Sequence, residues 1–342
     1  MFPNVPEIDL FAVQAWVTAE TYRSEATFRD TAFALGRACA SRRGASGRPA
    51  LAVFPENFGT FLVLAPLGRA GAKLDRTELA TLLAIAVRPR AFGAALRRVG
   101  LRRGKLAALL ALGPEVRAVW ERTFSDLARD TGMSIVAGSA LVPDGAVDNE
   151  DAVYNLSLTF DPDGRIAGST RKVNLVPGLE DTLGLTPGDP AQLGPAELPV
   201  GPVGTLICYD GFAVPHTMDE PGFEPVGGAL SRSGARIVAN PAANPWPWDG
   251  PWVHARPGSP LLRREQWRAE GIEAQLRSME GTRWAITAQL VGRVLDQRFD
   301  GRSAIYERAR DGVVTVLAEA KSASLSPSSE EIVHARVETG AP

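Results

Sequence analysis

Three strand-like runs in this chain stop abruptly at a side chain that is either charged or chemically reactive. Leu51-Ala52-Val53-Phe54-Pro55 ends at Glu56, a run closing on Ser169-Thr170-Arg171 ends at Lys172, and Val203-Gly204-Thr205-Leu206-Ile207 ends at Cys208, with Tyr209-Asp210-Gly211 next. Ligands of α/β sheets collect outside the carboxyl ends of the strands. The pattern therefore predicts a sheet that carries a carboxylate, an ammonium and a thiol to one pocket. The segment after Ile207 reads as a strand-to-helix turn that presents a nucleophile, with backbone N–H groups free to face a carbonyl. Singly, each residue has an ordinary explanation. Glu56 reads as a solvated loop carboxylate, Lys172 as half of a basic pair with Arg171, and Cys208 as a buried thiol like Cys39 in the helical segment Phe33 to Ala40. Asp210 reads as a partner that orients the turn.

The remaining elements agree with a mixed α/β architecture. Glu25 to Arg43 reads as a helix, Met133 to Val142 as a strand, and Val153 to Lys172 as a hairpin about Asp161-Pro162-Asp163-Gly164. Ala235 to Ala239 and Trp284 to Val291 read as strands, and Glu265 to Gly281 as a helix. A length of 342 suggests two domains, but a site drawing on residues 56, 172 and 208 predicts a single domain over 1–342.

Composition narrows the function classes. Hydrophobic residues make up 45% of the chain and charged residues 22%, enough for a sizeable core, and the net charge of −2 offers no general attraction to nucleic acid. Two cysteines cannot build a disulfide scaffold, and a reactive thiol suits a reducing compartment. Met1 to Glu7 lacks the basic and apolar regions of a signal peptide, and no apolar run approaches membrane-spanning length, so a cytoplasmic protein off the membrane is expected. Three scattered histidines and two distant cysteines give no zinc spacing. The glycines of Gly100 to Leu106 are too closely spaced for a phosphate loop, and Leu106 cannot ligate magnesium. A Cys–His dyad is the rival mechanism. His216 lies eight residues after Cys208, about 12 Å along a helix; His334 falls in the last strand, and His254 in a proline-rich loop.

At this point a family resemblance becomes specific. Val53-Phe54-Pro55-Glu56, Arg171-Lys172-Val173-Asn174-Leu175-Val176-Pro177 and Leu206-Ile207-Cys208-Tyr209-Asp210 resemble, in order, the signature segments of the nitrilase (carbon–nitrogen hydrolase) superfamily. Ile8 to Trp16, Tyr154-Asn155 and Phe299-Asp300-Gly301-Arg302-Ser303 resemble its first strand, central hairpin and late turn. The resemblance implies an α-β-β-α sandwich of mixed β-sheets and a catalytic set of Glu56, Lys172 and Cys208. A second carboxylate is implied near Lys172, with Glu180 the better match and adjacent Asp181 the substitute. It implies no metal or organic cofactor. It also implies a homodimer or higher homo-oligomer built on helical faces, with the C-terminal strand Glu331 to Val337 reaching a neighbour.

Cys-Tyr-Asp resembles amidase-type branches more than the Cys-Trp-Glu of nitrilases. The expected activity is therefore hydrolysis of a linear amide or N-carbamoyl compound by water, through a thioester on Cys208. Lys172 is expected to lower the thiol pKa and, with a backbone N–H near Tyr209, to steady an oxyanion. A nitrilase, an N-acyltransferase, or a binding module or thiol redox sensor on the same fold are the alternatives.

Two stretches depart from the family pattern. Residues 60–120 read as a helical insertion with no acidic residue between Leu79 and Pro114, while Arg88, Arg90, Arg97, Arg98, Arg102, Arg103 and Lys105 concentrate positive charge. This reads as a solvated basic face, or else as a lid for an anionic substrate or a docking face. The Trp/Pro-rich loop at about 241–272 supplies Trp246 and Trp248 as candidates to line an apolar acyl pocket.

Overall fold

The structure, a computed structural model, describes residues 7–43, 47–145, 151–217, 220, 222–255, 258–323 and 325–340. Of the stretch Met1 to Glu7 read above for a leader, all but Glu7 lies outside them. The chain opens with β1 (Glu7–Thr18), α1 (Glu25–Arg43) and β2 (Ala50–Val53). A 3-10 segment, Thr60–Leu67, leads into α2 (Gly68–Gly71), α3 (Thr77–Val87), α4 (Pro89–Val99) and α5 (Gly104–Thr131). Next come β3 (Ser134–Val136), β4 (Ala140–Val142), β5 (Tyr154–Phe160), β6 (Ile166–Arg171), β7 (Ala196–Leu198) and β8 (Gly201–Thr205). The last part carries α6 (Gly227–Arg232), β9 (Ile237–Ala242), α7 (Arg263–Glu270), α8 (Ile272–Leu276), β10 (Trp284–Val294), β11 (Gln297–Phe299), β12 (Ala304–Arg308), β13 (Val314–Glu319) and β14 (Glu331–Glu338).

The strands order as β4-β5-β3-β2-β1-β10-β9-β8-β7, with β3, β2, β1, β10, β9 and β8 running parallel. Period-two alternation decides which side chains fill which layer. Leu10, Ala12, Leu51 and Val53 meet Ile237, Ala239, Ile286 and Ala288 between the two halves of the sheet. The alternate residues Phe11, Val13, Ala52 and Phe54 pack outward with Phe28, Leu35, Trp120 and Phe124 of α1 and α5. On the far side Val238 and Ala285 pack with Leu230 and Leu276 of α6 and α8. The layers therefore run α-β-β-α, as the resemblance implies. Each fully buried large apolar side chain contributes roughly 1.5–3 kcal/mol to holding them together.

β1 belongs to both halves. Its first part pairs with β2 and β14, and Ala15 to Thr18 pair with Leu290 to Arg293 of β10. Gly292 permits this seam, because at φ 118° a Cβ would lie 2.2 Å from the Val17 carbonyl oxygen.

Several elements differ from the sequence expectation. Met133 to Val142 is two short strands, because Gly138 turns the chain at φ 69° and sits so close to Pro55 that a Cβ would lie 2.0 Å from its carbonyl oxygen. The helix expected over Glu265 to Gly281 breaks at Gly271, whose backbone is extended, and begins earlier, at Arg263. The C-terminal strand β14 lies antiparallel against β1 of its own chain from Glu7 to Gln14, filling the hydrogen bonds that this side of β1 would otherwise leave open.

The stretch 60–120 is helical, and α5 runs past it to Gly132, whose left-handed backbone donates its N–H to Ala128. Arg88 pairs with Glu115, and Arg98 with Asp151 at 2.7 Å. No single helix among the described residues is long and apolar enough to cross a membrane, and α3 and α4 meet that length only together, across a 106° bend.

Candidate active site

Glu56 follows β2, Lys172 follows β6 and Cys208 follows β8, and the sandwich brings all three side chains together in its interior. Lys172 Nζ donates to Glu56 Oε1 at 2.7 Å and to Glu180 Oε2 at 2.6 Å. The Cys208 thiol lies close enough to Glu56 and to the backbone of Ala243, just past β9, for both to act on its pKa. Of the two candidate second carboxylates, Glu180 is the one at Lys172; Asp181 is exposed and accepts from the N–H of Thr182. Glu180 is fixed in turn by the Val176 N–H at 2.9 Å.

Asn155 had no role assigned from sequence. Its Nδ2 donates to Glu56 Oε1 and to Glu180 Oε1, both at 2.8 Å, spanning the two carboxylates alongside Lys172. Its position in the hairpin was legible; this convergence depends on contacts 99 and 25 residues away along the chain.

Electrostatics follow from burial. Glu56 and Lys172 are 2% and 1% exposed, so neither charge has water to compensate it. Burial raises the Glu56 pKa and Glu180 adds to the rise; Lys172 opposes it without cancelling it. Burial also works against the Lys172 ammonium, but the Glu180 and Glu56 carboxylates outweigh it and hold its pKa well above the ordinary value. The thiol differs from expectation. Burial and the Glu56 charge push the Cys208 pKa up, overriding the lowering by Lys172, so at rest it is a protonated thiol beside a carboxylate.

Local backbone aims the sulfur. Cys208 has φ 47°, a left-handed conformation rare for a residue with a Cβ, and starts a 3-10 turn, Cys208–Gly211, where an α-helix was expected. Asn240 Nδ2 holds this turn through the Leu206 carbonyl at 2.7 Å and the Cys208 carbonyl at 3.3 Å. The Asp210 carboxylate accepts from the N–H groups of Val173 at 3.1 Å and Asn174 at 2.7 Å, tying the cysteine turn to the lysine segment.

The tryptophan loop packs beside this turn. Trp248 is buried with Cys208, Tyr209, Phe212 and Trp267, and Trp246 is half-buried against the same cluster. The Tyr209 hydroxyl donates to Glu220 and accepts from the His216 N–H, and its ring stacks on His216 at 4.0 Å. Burial drives the His216 pKa down to about 2, leaving a neutral ring. His334 bonds Asp9 at 2.8 Å, and His254 packs on Trp252. Among the described residues no histidine hydrogen-bonds Cys208, and no group of three or more His, Cys, Asp or Glu is placed to hold a metal ion.

The layered sandwich encloses a buried carboxylate, ammonium and thiol side by side. The carbon–nitrogen hydrolase family model matches residues 38–326, and the chain belongs to that family. A nitrilase from Pyrococcus abyssi is 30% identical over 182 residues, and that match spans 53% of this chain and 53% of the relative's length. Among solved structures, a carbon–nitrogen hydrolase from Helicobacter pylori is similar over 96% of this chain and 89% of its own, at 20% identity and a TM-score of 0.59. Nit3 of Saccharomyces cerevisiae, from branch 10 of the nitrilase superfamily, is similar over 98% and 91%, at 16% identity and a TM-score of 0.57. A mutant amidase from a Nesterenkonia species, carrying the acetamide moiety of fluoroacetamide on its active-site cysteine, is similar over 99% and 93%, at 16% identity and a TM-score of 0.56.

Proposed function

We propose that the chain hydrolyses a non-peptide C–N bond, in a linear amide or N-carbamoyl compound, through a thioester on Cys208. The observation that carries this reading is the Cys208 thiol on Glu56, with Lys172 held between Glu56 and Glu180. Glu56 takes the thiol proton as sulfur attacks the carbonyl carbon, and its raised pKa makes it a stronger base than an ordinary carboxylate. The carbonyl oxygen becomes an oxyanion facing the Lys172 ammonium and the backbone N–H of Tyr209. Glu56 then protonates the nitrogen, the C–N bond breaks, and ammonia or an amine leaves. Water, deprotonated by Glu56, attacks the thioester; the C–S bond breaks and the proton returns to sulfur. The acid is released. Every acid, base and nucleophile in this cycle belongs to the chain, and no cofactor is invoked.

Trp246 and Trp248 line the acyl pocket in this proposal. The amide reading draws on Cys-Tyr-Asp and on the acyl-carrying amidase of similar fold. The relative named a nitrilase favours a second reading, in which the same thiol attacks a nitrile carbon. A redox-sensor role is disfavoured because sensor thiols are exposed and of low pKa, whereas Cys208 is buried and its pKa is raised. We further propose one domain over residues 1–342, a homodimer or higher homo-oligomer in solution, and the reducing cytoplasm as the compartment that suits this thiol.

The test is ammonia release from a panel of amides, carbamoyl compounds, nitriles and amine acceptors, with intact-mass detection of the acyl-enzyme. Turnover should fall more than about 1000-fold in Cys208→Ala. Turnover that survives this substitution overturns the mechanism, and sedimentation as a monomer overturns the homo-oligomer.

A further inference from the structure

Arg263 opens α7 and is 1% exposed, yet among the described residues no carboxylate pairs with it. Its Nε donates to Asn244 Oδ1 at 2.9 Å and its Nη1 to Gln266 Oε1 at 2.5 Å, both neutral amides. Gln266 passes the contact on to Glu270 at 2.6 Å, so the nearest negative charge is one side chain removed. The guanidinium carbon lies 4.0 Å from the Trp252 ring centre and 4.7 Å from that of Trp246, with Trp267 and Phe212 at 5.5 and 5.8 Å. Rings attract a cation, but they do not satisfy N–H donors as an anion does. Burial pulls its pKa down to about 9, so it remains charged at neutrality.

Two further polar atoms in the same cluster are orphaned. Trp267 Nε1 and His216 Nε2 are buried without a hydrogen-bond partner, on side chains 6% and 7% exposed. Phe212 touches both rings, at 4.9 Å from each. Native interiors rarely leave such groups unpaired, and an unmatched buried cation is costlier still. Both orphans can donate to an acceptor, since a neutral imidazole can carry its proton on Nε2, while Arg263 has hydrogen-bond partners and lacks a counter-charge.

The cluster adjoins the reacting sulfur. Phe212 and Trp267 pack in one group with Cys208, and Ala243, whose backbone acts on the thiol pKa, is followed by Asn244, which holds Arg263. We propose that Arg263, with Trp267 and His216, forms an anion subsite beside Cys208 that takes a carboxylate on the substrate. The inference rests on the hydrolase reading and narrows its substrate class to carboxylate-bearing amides. The carboxylate sits either on the acyl chain, as in a dicarboxylic acid monoamide, or on the amine side, as in an N-carbamoyl amino acid.

Two measurements test it. Dicarboxylic acid monoamides and N-carbamoyl amino acids are compared with their methyl esters, and kcat/KM is expected to favour the free acids by on the order of 100-fold. That ratio should collapse in Arg263→Gln and recover in part in Arg263→Lys. The acid class that shows the preference identifies the side bearing the carboxylate. Independently of turnover, succinate or glutarate should slow iodoacetamide alkylation of Cys208 in the wild-type protein, read by intact mass, while the corresponding diamides should not. Turnover without preference for the acids, together with no dicarboxylate protection, overturns the subsite and leaves the hydrolase reading standing. Protection without turnover of any amide, carbamoyl compound or ester sinks the hydrolase reading and keeps the subsite. Should Arg263→Gln fail to fold, both wild-type comparisons still decide.

Discussion

Substituting Glu180→Gln removes one charge from the site while nearly preserving shape. The Glu56 and Glu180 oxygens that contact Lys172 Nζ lie 2.7 and 2.6 Å from it, so they can be at most about 5 Å apart. At an effective dielectric constant of about 20, two unit charges at that distance interact by roughly 3 kcal/mol, about a hundredfold in a protonation equilibrium. Lys172 sits between them and offsets part of this field, so the effect expected at Glu56 is smaller than that bare interaction. The sign follows from the structure. Glu180 helps to raise the Glu56 pKa, so losing its charge lowers that pKa and moves the acid limb of the kcat/KM profile to lower pH. The plateau should fall on the order of 100-fold, because Glu56 is then a weaker base and Lys172 loses one of its two anchors. The assay is ammonia release across pH 4 to 9. An acid limb that stays in place or moves upward refutes the reasoning.

Three further outcomes follow from the same geometry. Because Cys208 holds φ 47°, Cys208→Gly should be more stable to urea than Cys208→Ala by about 1 kcal/mol, and the reverse order would deny the strain. Gly138→Ala should cost more than about 3 kcal/mol and also impair turnover, since the added Cβ strikes the Pro55 carbonyl beside Glu56; a thermal shift under about 3 °C contradicts this. Burial pushes the Asp210 pKa up to about 7, above its unfolded value, so the wild type should lose stability relative to Asp210→Asn as pH rises from about 4 to about 7; a gap that widens the other way in urea melts at pH 5 and 8 would count against it.

Strand ends were the most legible part of this molecule. Glu56, Lys172 and Cys208 each interrupt a run whose pattern already declares a strand, so order and spacing were visible without coordinates. Gly138 and Gly271 were not legible as breaks, because one glycine within a helical or strand pattern is compatible with continuation until a close neighbour such as the Pro55 or Trp267 carbonyl is known. The shift at Cys208 was read with the wrong sign for a related reason. Sequence suggests that a lysine is near, but the depth of burial and the Glu56 charge that outweigh it belong to the packed interior. Asn155 and Arg263 stayed silent because their meaning lies in side chains they meet only through folding, Glu56 and Glu180 for one and an aromatic cage for the other.

The split allegiance of β1 bears on how such a molecule can change over time. Acid and ammonium hang from one half of the sandwich and sulfur from the other, and residues 15–18 stitch those halves through their ladder with β10. Slipping that ladder by one residue would displace one bank of groups by about 3.3 Å, further than the contacts joining Glu56 to its neighbours span. Loops at the rim are free to drift and re-specify what enters, whereas four residue pairs deep in the middle act as the alignment pins of the whole device.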